Sequence, residues 1–325
     1  MSAFRSLTFA AIVCGAFVGA TPLSAQSYPE RPIKWMVGYP AGGASDFLAR
    51  VLSPKMGPSL GQPLVIENKP GAAGIISMDA TAKAAADGYT IANTGNGELV
   101  YNLGLYKKLP YDADKDFTLV GTIAKLPMVL IVQPSMPVRD LKDLIALAKK
   151  EPGKLNYGSG GIGHPIQMGM EMLKHRAGID ITPIAYRGVS PALQDFLGGT
   201  ISLMYIDLAA GLGVIREGKA RAIAVSTKER LAALPDVPTV EESGIKGYDV
   251  FAWQGLIVPA KTPADAVERL RTSLNAALKD ADLIKRFNDA GVQPMPGSPA
   301  EFTNLVKQDR AEWLPLIKAL NLSLE

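Results

Sequence analysis

Two glycine-rich stretches hold the residues best suited to meet a ligand. The first is Tyr39-Pro40-Ala41-Gly42-Gly43-Ala44-Ser45-Asp46. The second is Gly158-Ser159-Gly160-Gly161-Ile162-Gly163-His164-Pro165. Each leads from an apolar β-type run into a helical pattern. Glycine lets the chain turn sharply and lets a small molecule approach main-chain N–H groups. A helix start adds unpaired N–H donors and a partial positive charge. Together these suit a small anion. One such turn is often a plain connector. Two, in different halves of the chain, suggest a ligand held between domains with a carboxylate against one turn. Strand tips of this kind are where α/β sheets bind ligands.

Other chemistry fits the spacing less well. Gly158, Gly160 and Gly163 match G-x-G-x-x-G, a dinucleotide fingerprint. That fingerprint wants an acidic residue about twenty positions on. Arg187 stands near there instead, which leaves an NADP-type 2′-phosphate open. Gly43-Ala44-Ser45 starts like the nucleophile elbow of serine hydrolases, but Phe47 replaces its last glycine. The only histidines are His164 and His175, and the only cysteine is Cys14. They form no zinc-type cluster, and no catalytic constellation emerges. Arg187 could fork onto a carboxylate or serve a surface ion pair. Asp207 could accept a bond from ligand or water, or cap the next helix. Tyr39, Ile162 and Trp253 are apolar candidates for a cleft wall and favour a ring in the ligand. Burial in the core is the alternative for each.

The elements that must position these residues alternate as strand and helix, the pattern of α/β proteins. Strands are expected at 33–37, 62–67, 89–93, 155–157, 181–186, 202–206, 220–226 and 251–258. The first helix spans about 45–60, and another runs to about Ala86. Two apolar runs, 117–124 and 128–133, follow each other closely, with a passage between domains near Lys125-Leu126-Pro127. Asp140 caps a helix whose apolar face is Leu141, Leu144, Ile145 and Ala148. Further helices run from the second glycine turn to about Ala177 and over 191–197. Ser298 and Glu301 form a capping box for the last helix. The strand–turn–helix order at 33–60 recurs at 155–177.

The N-terminus has its own signature. Arg5 is the only charged residue before Glu30, and Leu7 to Ala20 is almost continuously apolar. Small residues at Leu23-Ser24-Ala25 complete a secretory signal peptide over 1–25. The run is too short to span a bilayer comfortably. Cleavage there would remove Cys14, so disulfides drop out. Of 325 residues, 47% are apolar and 20% charged, with net charge +3. Those values fit a globular protein of two domains and give no reason to expect nucleic acid as partner.

An ordered series of short motifs then points to a family. It comprises Tyr28-Pro29 through Pro32-Ile33, Tyr39-Pro40-Ala41-Gly42-Gly43 with Asp46, Gly61-Gln62-Pro63, Glu67-Asn68-Lys69-Pro70-Gly71-Ala72 and Asp87-Gly88-Tyr89-Thr90. It continues with Leu109-Pro110-Tyr111-Asp112, Leu155-Asn156-Tyr157-Gly158-Ser159, Tyr186-Arg187-Gly188 and Leu234-Pro235-Asp236-Val237-Pro238-Thr239. Over essentially the whole mature chain the sequence resembles the Bug-type receptors, the extracytoplasmic solute-binding proteins of tripartite tricarboxylate transporters. The resemblance implies a periplasmic-binding-protein-like clamshell of type II, with two α/β domains and two hinge crossings. Domain 1 would be 26–126 plus 250–325, and domain 2 would be 127–249. It implies that the two turns hold one carboxylate, partly through waters. Carried over, this points to Tyr39, Ala41, Gly42, Gly43 and Asp46 on one lip and to Ser159, Gly160, Gly161 and His164 on the other. Thr94, Arg187 and Asp207 match positions that face the cleft.

The expected protein is a periplasmic monomer that delivers a small carboxylate, mono-, di- or tricarboxylate, to membrane permease subunits. No catalytic residue, cofactor or metal is expected. The alternatives are a periplasmic NADP-dependent oxidoreductase and an orphan sensor serving a signalling kinase. In one place the chain departs from the family: many relatives carry Ser or Thr where His164 stands. Histidine titrates near neutral pH, so His164 is expected to read the far end of the ligand or to make uptake pH-sensitive.

Overall fold

The computed structural model describes residues 28–324. The signal-peptide reading and Cys14 therefore lie outside the described residues. The first lobe begins as a parallel α/β unit: β1 (Ile33–Val37), α1 (Ala44–Leu60), β2 (Leu64–Asn68), α2 (Ile75–Ala82) and β3 (Thr90–Gly95). β1 sits between β2 and β3, with Ile33 opposite Leu64 and Lys34 opposite Thr90. A π-helical turn at Gly97–Tyr101 leads into the short α3 (Asn102–Leu105).

β4 (Phe117–Val132) then joins the two lobes. Its first part pairs antiparallel with β9 (Phe251–Pro259), as far as Pro127 opposite Phe251. Its last part pairs with β7 (Leu203–Asp207), starting at Met128 opposite Asp207. The two apolar runs expected from sequence are thus one strand, and no turn separates them. The reason is that edges on both sides of the changeover find partners, so the backbone stays satisfied while extended. Pro127, which has no N–H to donate, stands where the partners change.

The second lobe carries α4 (Leu141–Lys150), β5 (Asn156–Ser159), α5 (Pro165–Ala177), β6 (Thr182–Ala185), α6 (Val189–Leu197), β7, α7 (Leu208–Arg216) and β8 (Arg221–Val225). Its order from the shared strand is β4-β7-β5-β6, with β5 parallel to both neighbours. β9 returns to the first lobe, followed by α8 (Ala264–Ala277), α9 (Ala281–Asp289), β10 (Gln293–Pro294) and α10 (Pro299–Ala319). Asp140 caps α4, and Ser298 with Glu301 forms the capping box of α10, as the sequence predicts.

The expected strand–turn–helix echo is present: β1 to α1 in one lobe, β5 to α5 in the other. Both turns therefore lie at the ends of parallel strands. The helix expected to reach Ala86 stops at Ala82, where Lys83 N–H closes back on Asp79 O and Ala84 N–H on Thr81 O. The start of α2 was not legible either. Ala72 and Ala73 have φ of 46° and 49°, and Gly74 has φ of 84°, three left-handed residues in a row. Two of them are alanines, whose Cβ makes this conformation costly.

Candidate functional site

The first turn is braced from within. Asp46 is buried at the start of α1, and its carboxylate accepts from Gly42 N–H (2.9 Å), Arg50 Nε (2.8 Å) and Asn68 Nδ2 (3.0 Å). Burial alone would raise its pKa, but the bonds from Arg50, Gly42 and Asn68 outweigh it and hold the group below its ordinary value. Asn68 Nδ2 also donates to Tyr39 O at 3.1 Å. Gly43 N–H turns back to Pro40 O at 3.3 Å. Asp46, Gly42 and Gly43 thus shape the turn with their polar groups, while Ala41 is exposed at its tip. What remains open is the helix start itself. Gly43 is its N-cap and has no side chain to cap with. The N–H groups of Ala44, Ser45 and Asp46 have no acceptor among the described residues.

The second turn is built differently. His164 is the N-cap of α5, and its Nδ1 accepts from Ile166 N–H at 3.3 Å. Gln167 Oε1 accepts from Gly163 N–H at 2.7 Å. His164 thus caps the first N–H of this helix, and Gln167 holds the turn just before it. The free donors lie earlier, in the loop: Gly160, Gly161 and Ile162 N–H meet no acceptor among the described residues. Ser159 is fully buried, and its Oγ has no protein partner. A pyrophosphate seated as in a dinucleotide site would need the N–H groups that His164 and Gln167 occupy. A Cβ added at Gly163 would lie 2.8 Å from Leu105 Cδ1 in the other lobe.

Histidine 164 corrects one expectation. Burial pushes its pKa down to about 4, so the ring is neutral through the physiological range. Because Nδ1 accepts a bond, the neutral ring carries its proton on Nε2 and offers a fixed N–H donor. Sensitivity near neutral pH does not follow from this geometry.

The two lips meet. The rings of Tyr39 and His164 stand edge to face with centroids 6.0 Å apart. Asn102 Oδ1 and Ala73 Cβ lie 3.8 and 3.9 Å from where a Cβ on Gly163 would be. Thr94, near the tip of β3, is 1% exposed, and its Oγ1 has no protein partner. The carbonyl of Tyr186 lies 3.3 Å from a Cβ position on Gly161, which sets exposed Arg187 beside the second turn. Asp207 is the N-cap of α7, and its Oδ1 accepts from Ala210 N–H at 3.0 Å. Burial holds its pKa above the ordinary value. Trp253 is not a wall residue. It is fully buried, donates from Nε1 to Asp309 at 2.6 Å and packs edge-on against Phe302. Ile162 is 49% exposed at the lip.

Sequence reasoning missed Glu98. It is 2% exposed, and its Oε2 accepts from Gly95 N–H at 2.9 Å. Its other oxygen packs on Gly74, where a Cβ would come within 2.8 Å of the Glu98 Cγ. The Tyr39 phenol lies against the same carboxyl, and burial with this neighbour raises the phenol's pKa well above its ordinary value. Burial likewise raises the Glu98 carboxyl. Glu98 therefore ties the first turn, the left-handed loop at 72–74 and the tip of β3 together. It stands in a π-helical turn, a feature frequent at functional sites. Asn68, Asn96 and Asn102 were missed as well. Only Asn68 left a trace, inside one of the short motifs.

Comparison with known proteins places this architecture. The model of the tripartite tricarboxylate transporter family receptor matches residues 48–322. Protein BugT of Bordetella pertussis is 32% identical over 318 residues, 96% of this chain and 98% of that protein. Among solved structures, R. palustris Rpa4515 with adipate has a TM-score of 0.85 at 33% identity, covering 90% of this chain and 97% of that one. MatC of Rhodopseudomonas palustris with bound malate has a TM-score of 0.83 at 31% identity, covering 89% and 100%.

Proposed function

The chain belongs to the receptor family of tripartite tricarboxylate transporters, and from that premise we propose that it captures a small carboxylate in the periplasm and presents it to membrane permease subunits. The observation that carries this reading is a pair of hydroxyls. Thr94 Oγ1 comes from one lobe and Ser159 Oγ from the other, both are buried, and neither has a protein partner. A buried hydroxyl left unpaired costs about 1–3 kcal/mol, whereas a made bond returns about 0.5–1.5 kcal/mol net. On this reading a carboxylate held between the lobes accepts from both hydroxyls, and the two bonds favour the occupied form. The uncapped start of α1 adds its N–H groups and partial positive charge to the same end.

Closure follows from this distribution. Only the shut form offers donors from both lobes to one anion, so the ligand favours that form. The moving units would be 26–126 with 250–325 and 127–249, hinged where β4 changes partners. The relatives with bound adipate and malate support a carboxylate ligand. A thermal-shift screen of mono-, di- and tricarboxylates tests the reading. At a concentration of 100 times Kd, a cognate ligand adds about 2.7 kcal/mol. No shift with any carboxylate, together with a shift for a cationic or neutral solute, would sink it.

A further inference from the structure

Away from the two glycine-rich turns, a set of charged groups brackets the place where the chain passes from the second lobe into β9. Before the passage, Arg176 near the end of α5 donates from Nη1 to Gly247 O at 2.7 Å and to Lys246 O at 3.2 Å. Its guanidinium carbon also stands 5.9 Å from the centre of the Tyr248 ring. After the passage, Asp309 of α10 accepts from Trp253 Nε1 at 2.6 Å. Glu312, one turn further along α10, closes the bracket: its Oε1 accepts from Arg176 Nη2 at 3.0 Å. Since α5 belongs to the second lobe and α10 to the first, this ion pair joins the lobes directly.

Both partners are held in place before they meet. Arg176 spends one arm of its guanidinium on the carbonyls of its own lobe and keeps the other for Glu312. On the far side, Arg310 fixes α10 to the first lobe through Leu99 O (2.8 Å) and Asp114 (2.6 Å). A guanidinium oriented in this way loses little freedom on pairing. A pair with side chains 29% and 47% exposed ordinarily contributes little to stability. What sets this one apart is what it connects. One rigid helix, α5, carries His164 at its start and Arg176 near its end, about 18 Å apart at 1.5 Å per residue. Its start meets Tyr39 across the cleft while its end meets Glu312. A rotation of the second lobe that parts the lips therefore swings Arg176 as well. A groove of about 330 Å³ lies along the same seam, lined by Lys174, His175 and Gly178 on one side and Leu320 on the other. The two helices do not pack solidly along it, which leaves room for them to shift.

We propose that Arg176 and Glu312 form a latch across the hinge that favours the shut form, so that two residues outside the turns set the affinity for the solute. This rests on the closing motion of the carboxylate-capture reading above. A bond made in the shut form alone adds its whole free energy to closure, and through closure to the apparent affinity.

The test uses the purified mature protein and the mono-, di- or tricarboxylate that stabilises it most in the thermal screen above, with malate and adipate tried first. Calorimetry gives the affinity, and stopped-flow mixing gives the two rates. Glu312→Ala binds about three- to five-fold more weakly than wild type. Glu312→Arg, which sets like charges face to face, binds about ten-fold more weakly. The loss appears as faster dissociation, with association little changed. In an Arg176→Ala background the same Glu312→Arg change costs nothing further, a coupling that a merely structural role of Glu312 would not produce. Unchanged or tighter binding in Glu312→Arg would overturn the proposal, as would an equal loss with and without Arg176, while either result leaves carboxylate capture intact. If the wild type binds no carboxylate of any kind, the underlying reading fails first and the latch with it.

Discussion

The two glycine-rich turns occupy equivalent places, each between a parallel strand and a helix, yet they solve opposite problems. The first spends a carboxylate, Asp46, on its own shape and leaves the helix behind it uncapped. The second spends His164 on capping its helix and Gln167 on holding Gly163 N–H, and leaves other loop N–H groups and the Ser159 hydroxyl open. A helix end without partners is normally costly. On the proposed reading that cost has a use at the first turn, since open N–H groups are what an anion needs. At the second turn His164 caps the helix start, and on the same reading the loop would do the presenting. On the proposed reading one lip would work through a helix start and the other through a loop and a hydroxyl.

Mutations can break this contrast in order of expected effect. Gly163→Val should act most strongly. It puts a branched side chain at φ 77° and into Leu105 of the facing lobe. A penalty of about 3 kcal/mol on the shut form weakens binding roughly a hundred-fold. Calorimetry checks this, and the unliganded protein should still melt cooperatively. Next comes Gly43→Asp, whose backbone at φ −80°, ψ 172° tolerates a side chain. It should cap α1, adding about 1 kcal/mol of stability, while a fixed negative charge at the same spot lowers carboxylate affinity about ten-fold or more. Opposite signs in melting temperature and affinity would show that the bare helix start serves the ligand. Equal signs would show that it does not.

Smaller effects sharpen the picture. Ser159→Ala and Thr94→Val should each weaken binding by roughly five- to ten-fold. Neither should lower the stability of the empty protein, since each removes an unpaired buried oxygen. Wild-type affinity should stay level from about pH 6 to 8, because His164 remains neutral there. A step in that range that vanishes in His164→Asn would contradict the burial assigned to the ring. Smallest is Glu98→Gln. The raised carboxyl pKa of Glu98 means that its contribution to stability is whole in acid and is lost as pH rises through the folded-state value. The variant should therefore melt a few degrees above wild type in alkaline buffer and level with it in acid.

The sequence made the turns visible because glycine runs after β-type patterns are local signals. Tyr39, Ser159 and His164 came with them, and Thr94 came through the resemblance to a family. What stayed hidden depends on contacts distant in the chain. Glu98 is one acidic residue among many until Gly74, Gly95 and Tyr39 close around it. Asn102 is unremarkable until Ala73 O fixes its amide and Gly163 faces it. The difference between the turns was equally hidden: the type of residue does not reveal that Asp46 points back at Gly42 or that His164 caps its own helix. Trp253 stayed open between cleft wall and core for the same reason, and only its packing on Phe302 and its bond to Asp309 decide for the core.

The most direct measurement is a crystal structure of the mature protein with a carboxylate that stabilises it. One carboxylate group should lie within hydrogen-bonding distance of the N–H groups at Ala44–Asp46, directly or through one water, and of Ser159 Oγ. A ligand whose carboxylate instead points to Arg187 or to solvent, with the start of α1 untouched, would contradict the division of labour between the two turns.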